Sequence, residues 1–107
     1  MRKPTLLLSL ATLFHWGPAQ ATSAMGIGTG DCSAFLRAAE AGTTQALDPY
    51  VSWGLGYLTG RNATVTHGRQ VVIDGGSLAH WLTAWCGRHG ESPIFEALET
   101  FARESEG

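Results

Sequence analysis

Lysine is almost missing from this chain: Lys3 is the only one in 107 residues, and charged residues of both signs make up 15%. Beyond residue 3 there is therefore no lysine nucleophile or Schiff-base amine, and no polybasic patch for an anionic membrane surface. Cysteine is nearly as scarce. Cys32 and Cys86 stand alone, so the chain has no close Cys-x-x-Cys pair for redox work. Long apolar runs are lacking too. The longest spans Thr5 to Phe14, whereas a helix that crosses a bilayer needs about twenty residues. No stable membrane anchor is expected.

The motifs of common chemistries are absent as well. Ser52 precedes Trp53-Gly54 and does not sit in Gly-x-Ser-x-Gly, while Ser77 reads as a helix cap. His67, His80 and His89, even with Asp74 or Glu91, match no compact metal-ligand spacing. Glu96 and Glu99 read as the solvated face of a helix. Gly26, Gly28 and Gly30 alternate, but no strand pattern precedes them, so they are linker and not a phosphate loop. No enzyme, metal or cofactor is expected from these residues. Asn62-Ala63-Thr64 fits the glycosylation pattern, which has meaning only in a eukaryotic secretory pathway.

What is present begins with Arg2 and Lys3, a leucine-rich stretch, and Ala19-Gln20-Ala21, the form of a signal peptide cut after residue 21. Export favours pairing of the only two cysteines, because nothing outside the cytoplasm keeps them reduced. The remaining chain is enough for one small domain. It carries five arginines against nine carboxylates, a formal charge of −4. Nucleic acid is an improbable partner for such a surface.

Residues 22–30 read as a flexible arm and 31–104 as an all-α domain of four short helices with one disulfide. Cys32, Phe35, Leu36 and Ala39 recur at i, i+3, i+4 and i+7, with Asp31 to cap and Gly42 to stop. Asp48-Pro49 predicts the start of a second helix that ends at Gly60. Gly56 within it predicts close approach of a helix or a large ring. Arg61 to Gly76 reads as an irregular crossover. Ser77 opens a third helix with Leu78, Trp81, Leu82 and Trp85 on one stripe, followed by Cys86. Ser92-Pro93 starts a fourth, to about Arg103, with Ile94, Phe95, Leu98 and Phe101 inward and a fraying acidic tail. A link between Cys32 and Cys86 joins the first and third helices and is worth about 4 kcal/mol in the chain-entropy model. Trp53, Trp81 and Trp85 are needed for so small a core, although an exposed tryptophan rim is how small binding proteins hold partners.

Three blocks carry a resemblance: Cys32-x-x-Phe35-Leu36; Tyr50-Val51-Ser52-Trp53-Gly54-Leu55-Gly56-Tyr57-Leu58-Thr59-Gly60-Arg61-Asn62; and Trp81-Leu82-x-x-Trp85-Cys86. Together they look like a group of small exported proteobacterial proteins, similar in organisation to the HdeA/HdeB periplasmic acid-stress chaperones. That resemblance implies a periplasmic, non-enzymatic protein that is closed near neutral pH, opens in acid and protects exported protein clients. With every carboxylate neutralised, the formal charge rises to +9, which favours opening. Those chaperones are rich in lysine and this chain is not, so only Cys32 and Cys86, as the disulfide, carry over from them. Similar Gly-Tyr-x-x-Gly layouts occur in periplasmic immunity proteins that neutralise type VI secretion effectors, which implies instead one dedicated partner. Trp53, Gly54, Gly56, Tyr57 and Asn62 are then the candidate contact residues.

Overall fold

The computed structural model describes residues 23–65 and 68–106. The predicted leader, residues 1–21, and His67 lie outside them. Four helices follow in order: α1 (Cys32–Ala41), α2 (Thr44–Asn62), α3 (Gly75–Cys86) and α4 (Ile94–Glu106). Among the described residues there is no strand, only an isolated antiparallel bridge between Asp31 and Pro93. The fold is all-α, compact and stapled by one disulfide.

In α1 the predicted stripe faces inward, with Cys32 and Phe35 fully buried. Gly42 closes the helix in the left-handed conformation, φ 70°, and returns its N–H to the Ala39 carbonyl. Asp31 occupies the cap position, but its carboxylate does not cap. The free amides of Cys32 and Ser33 bond instead to the carbonyls of Ser92 and Gly90, at 2.8 and 3.0 Å. The start of α1 is thereby sewn to the loop that precedes α4.

Helix α2 corrects the predicted boundaries at both ends. It begins at Thr44, where Thr43 Oγ1 accepts the Ala46 N–H at 3.1 Å, and Pro49 lies inside it. Proline removes the bond that the Gln45 carbonyl would have received, but Gln45 and Pro49 are both exposed, so water can supply the missing donor. Gly60 does not stop the helix, which runs on to Asn62. The close approach expected at Gly56 falls instead at Gly54. A Cβ at Gly54 would stand 3.1 Å from Leu78 and 3.3 Å from Leu98, while one at Gly56 meets nothing within 4 Å.

Asp74, not Ser77, caps α3. Its Oδ1 accepts the Ser77 N–H at 2.8 Å and its Oδ2 accepts the Ser77 hydroxyl at 3.0 Å. These bonds hold the Asp74 carboxyl below its ordinary range. Helix α4 continues through the acidic residues expected to fray. It buries Ile94, Ala97, Leu98 and Ala102, leaving Phe95 and Phe101 half-buried.

Cys32 and Cys86, 54 residues apart, are bonded with their Cα atoms 5.0 Å from each other. Around them Phe35, Leu78, Leu82, Ile94 and Leu98 are also fully buried, and no polar side chain is buried among the described residues. Phe35 meets Tyr50 of α2 edge-on, with ring centroids 5.7 Å apart. The crossover is irregular as predicted. Asn62 pins it, donating from Nδ2 to the Val71 carbonyl and accepting the Val71 N–H on Oδ1, both at 2.8 Å. The side-chain amide thus imitates a strand partner for an otherwise unpaired peptide group.

Candidate functional site

Trp53, Tyr57 and Arg61 recur every four residues on one face of α2, and Phe95, Glu99 and Arg103 do the same on α4. Helical geometry stacks each trio along its own axis. The two trios face one another. Together with Glu96 and with Ser23 and Ala24 at the other side, Trp53, Tyr57, Phe95, Glu99 and Arg103 line a half-open groove of about 630 Å³, a size that suits a large side chain or a small ligand.

The residues read as a flexible arm form one wall support of this groove, which corrects that reading. Ile27–Thr29 makes a single 3-10 turn laid over Trp53. The Trp53 Nε1–H donates to the Met25 carbonyl at 2.9 Å. Gly26 and Gly28 lie so close to the indole that a Cβ at Gly28 would stand 2.0 Å from ring carbon Cζ3. Gly26 also has φ 102°, a conformation that glycine adopts without penalty. The glycines expected to give freedom give close approach. At its far end this strap is fixed by the Ile94 N–H bond to the Gly30 carbonyl at 2.9 Å.

Below the strap the rings of Trp53 and Tyr57 stack, with centroids 5.6 Å apart and planes inclined by 25°. The Tyr57 hydroxyl donates to Glu99 Oε1 at 2.8 Å. Arg61 Nε donates to both Glu99 oxygens at 3.1 Å, and its Nη2 donates to Oε2 at 3.0 Å. Arg103 Nη1 approaches Oε2 at 3.6 Å. The sequence pattern places Glu99 on a solvated helix face. It is instead two-thirds covered and holds α2 to α4. The Arg61 bonds, aided by Tyr57, keep its carboxyl below the usual carboxylate range, because they favour the charged form. Burial first, and then the bond to Glu99, pushes the Tyr57 phenol up to about 12.

Of the five predicted contact residues, Trp53 and Tyr57 meet in the groove. Gly54 faces the core and Gly56 faces open space. Asn62 is spent on the crossover, and its Nδ2 is engaged. Sequence reasoning missed Phe95, Glu96, Glu99 and Arg103, although the matching fourfold spacings of the two helices were there to be compared.

A second aromatic surface follows α3. Trp81 and Trp85 stack at 6.3 Å, Trp85 and His89 at 3.9 Å, and Phe101 meets Trp81 edge-on at 5.0 Å. Trp53, Trp81 and Trp85 all pack on the core and are half-buried, so each serves as core and surface at once. Among the described residues no three His, Cys, Asp or Glu side chains are placed to share a metal ion, and no helix is long and apolar enough to cross a membrane. Comparison with known proteins yields no match: no family model fits the chain, and no curated protein and no solved structure is similar to it.

Proposed function

We propose that this chain is a non-enzymatic exported protein of the periplasm that binds other polypeptides and protects them under acid stress. The observation that carries the reading is the apolar groove over Trp53 and Tyr57, closed at one end by a latch whose acceptor is Glu99. Protonation of that carboxylate removes the negative charge that strengthens the bond from Tyr57 and balances Arg61 and Arg103. Because the group is held below its ordinary range, the latch keeps its charge to lower pH than an ordinary glutamate would and weakens below that. Opening adds apolar surface from the groove walls to what a client can touch.

The test is hydrophobic-dye binding and near-UV tryptophan signal of the oxidised protein, taken from neutrality to about pH 2 beside an aggregating client. A rise in dye binding together with suppressed aggregation is expected. A protein that stays closed while clients aggregate overturns the protective reading.

A second reading, inhibition or neutralisation of one exported enzyme, is favoured by the groove being open while the latch is closed. Binding then needs no acid. A single stoichiometric partner at neutral pH distinguishes it from broad client protection.

A further inference from the structure

The face that carries the strap holds three carboxylates with no ion-pair partner among the described residues: Asp31, Glu91 and Glu96. Asp31 is free because the Gly90 and Ser92 carbonyls took over the capping of α1. With Glu91 it flanks a shallow hollow beside Gly30 and Pro93. Glu96 lines the groove a few residues further along the same chain. Arg103 is the one cation lining the groove among the described residues, and it is turned to Glu99. The strap also carries two of the three large apolar side chains left exposed among the described residues, Met25 at 80% and Ile27 at 36%.

An apolar groove with an apolar ridge beside it and unpaired negative charge on its rim selects by chemistry. Acidic segments are repelled, and an uncharged segment leaves the Glu96 carboxylate partly dehydrated without a counter-charge. We propose that this face docks a segment of a partner polypeptide in which a large apolar side chain enters the groove against Tyr57 and Phe95, and neighbouring lysines or arginines pair with Glu96 and with the Asp31–Glu91 hollow. The proposal rests on the polypeptide-binding reading above and adds the chemistry of what is bound.

The test uses the protein expressed from its full chain and purified oxidised, with three short peptides of one apolar pattern carrying lysine, serine or glutamate at the intervening positions. The readout is the Trp53 indole N–H resonance, which reports on the groove and strap and not on the α3 aromatics. The lysine peptide is expected to shift it and to bind more weakly as salt is raised. Glu96→Gln should weaken that binding up to about fivefold, the upper range for one partly exposed ion pair. Glu104→Gln, on the same helix but outside the groove, should leave it unchanged. Equal binding of the serine peptide, or an unaltered affinity in E96Q, overturns the cationic preference while leaving polypeptide binding intact. If none of the three peptides moves the Trp53 resonance, both the preference and the polypeptide-binding groove are wrong.

Discussion

The two sides of α2 are built on different principles. One side sets Gly54 against Leu78 and Leu98 and adds Leu58 to the core cluster that includes Leu82 and the Cys32–Cys86 bond, where the side chains are apolar and fully or almost fully buried. The other presents Trp53, Tyr57 and Arg61 to the strap and to α4, where the side chains are half-buried and tied by hydrogen bonds, those of Tyr57 and Arg61 to the Glu99 carboxylate. A dry apolar contact changes little with pH or salt, whereas a water-reachable ionic one changes with both. One helix thus carries a permanent side and a responsive side, and the disulfide lies on the permanent one.

The strongest way to break that contrast is to cut the disulfide. Reduction should lower stability by about 4 kcal/mol on the chain-entropy estimate for a loop of this length, measured as the shift of a urea midpoint with and without reductant. If α1 and α3 separate first, the Trp81 and Trp85 signals should change before that of Trp53. A midpoint indifferent to reductant would mean that apolar packing alone holds the permanent side.

A smaller effect should come from Gly28→Ala. The added methyl would overlap the Trp53 ring, so the strap must lift or the indole must turn, at about 1–3 kcal/mol if the clash is absorbed like other overpacking. The Trp53 indole N–H should then lose its protection from exchange, while the α3 amides keep theirs. Equal loss on both sides would show that the strap belongs to one cooperative core with the disulfide.

Glu99→Gln addresses the responsive side directly, with an expected cost of about 1–2 kcal/mol at neutral pH, since a charged acceptor with several donors is lost from a partly exposed site. Glu99 titrates lower in the folded chain than in the unfolded one. The unfolded state therefore binds more protons in the acid range, and the stabilisation is present above about pH 4.3, the unfolded value. It is lost as pH falls through the lower folded value. The stability curves of wild type and variant should converge in strong acid; parallel curves would remove Glu99 as the acid-sensitive group. At the other extreme, Tyr57 should ionise only near about 12. In the variant its value should fall part of the way, because burial is the larger cause and remains.

Much of the permanent side was legible in the sequence. The stripes of α1 and α3 follow from fourfold and threefold apolar spacing, the disulfide is expected from the chain's only two cysteines, and the stripes say which helices it joins. The responsive side was not. Local propensity makes boundaries of Pro49 and Gly60, but Thr43 supplies a cap five residues earlier than Asp48, and tertiary contacts carry α2 past Gly60. Gly26 and Gly28 suggested mobility because their use, allowing a backbone to lie on an indole, depends on a ring about 25 positions away. Glu99 looked solvated because its partners, Tyr57 and Arg61, lie about 40 residues earlier, at separations of 42 and 38. Periodicity reads what one helix does to its own face; it does not read which face it meets.

The glycines of α2 give the smallest and most discriminating test, because its sign should differ from the others. Gly56 is exposed in mid-helix, and a Cβ there meets nothing within 4 Å. Gly56→Ala should therefore stabilise by about 0.5–1 kcal/mol, the difference in helix propensity between the two residues. Since Gly56 belongs to neither side of α2, that gain should appear equally in the oxidised and the reduced protein and at neutral and acid pH. A loss of stability would mean that α2 is bent or met at Gly56 by residues outside those described. An unchanged stability combined with weaker peptide binding would instead place bare backbone at Gly56 in the docking face, extending the responsive side around the helix from Trp53 and Tyr57.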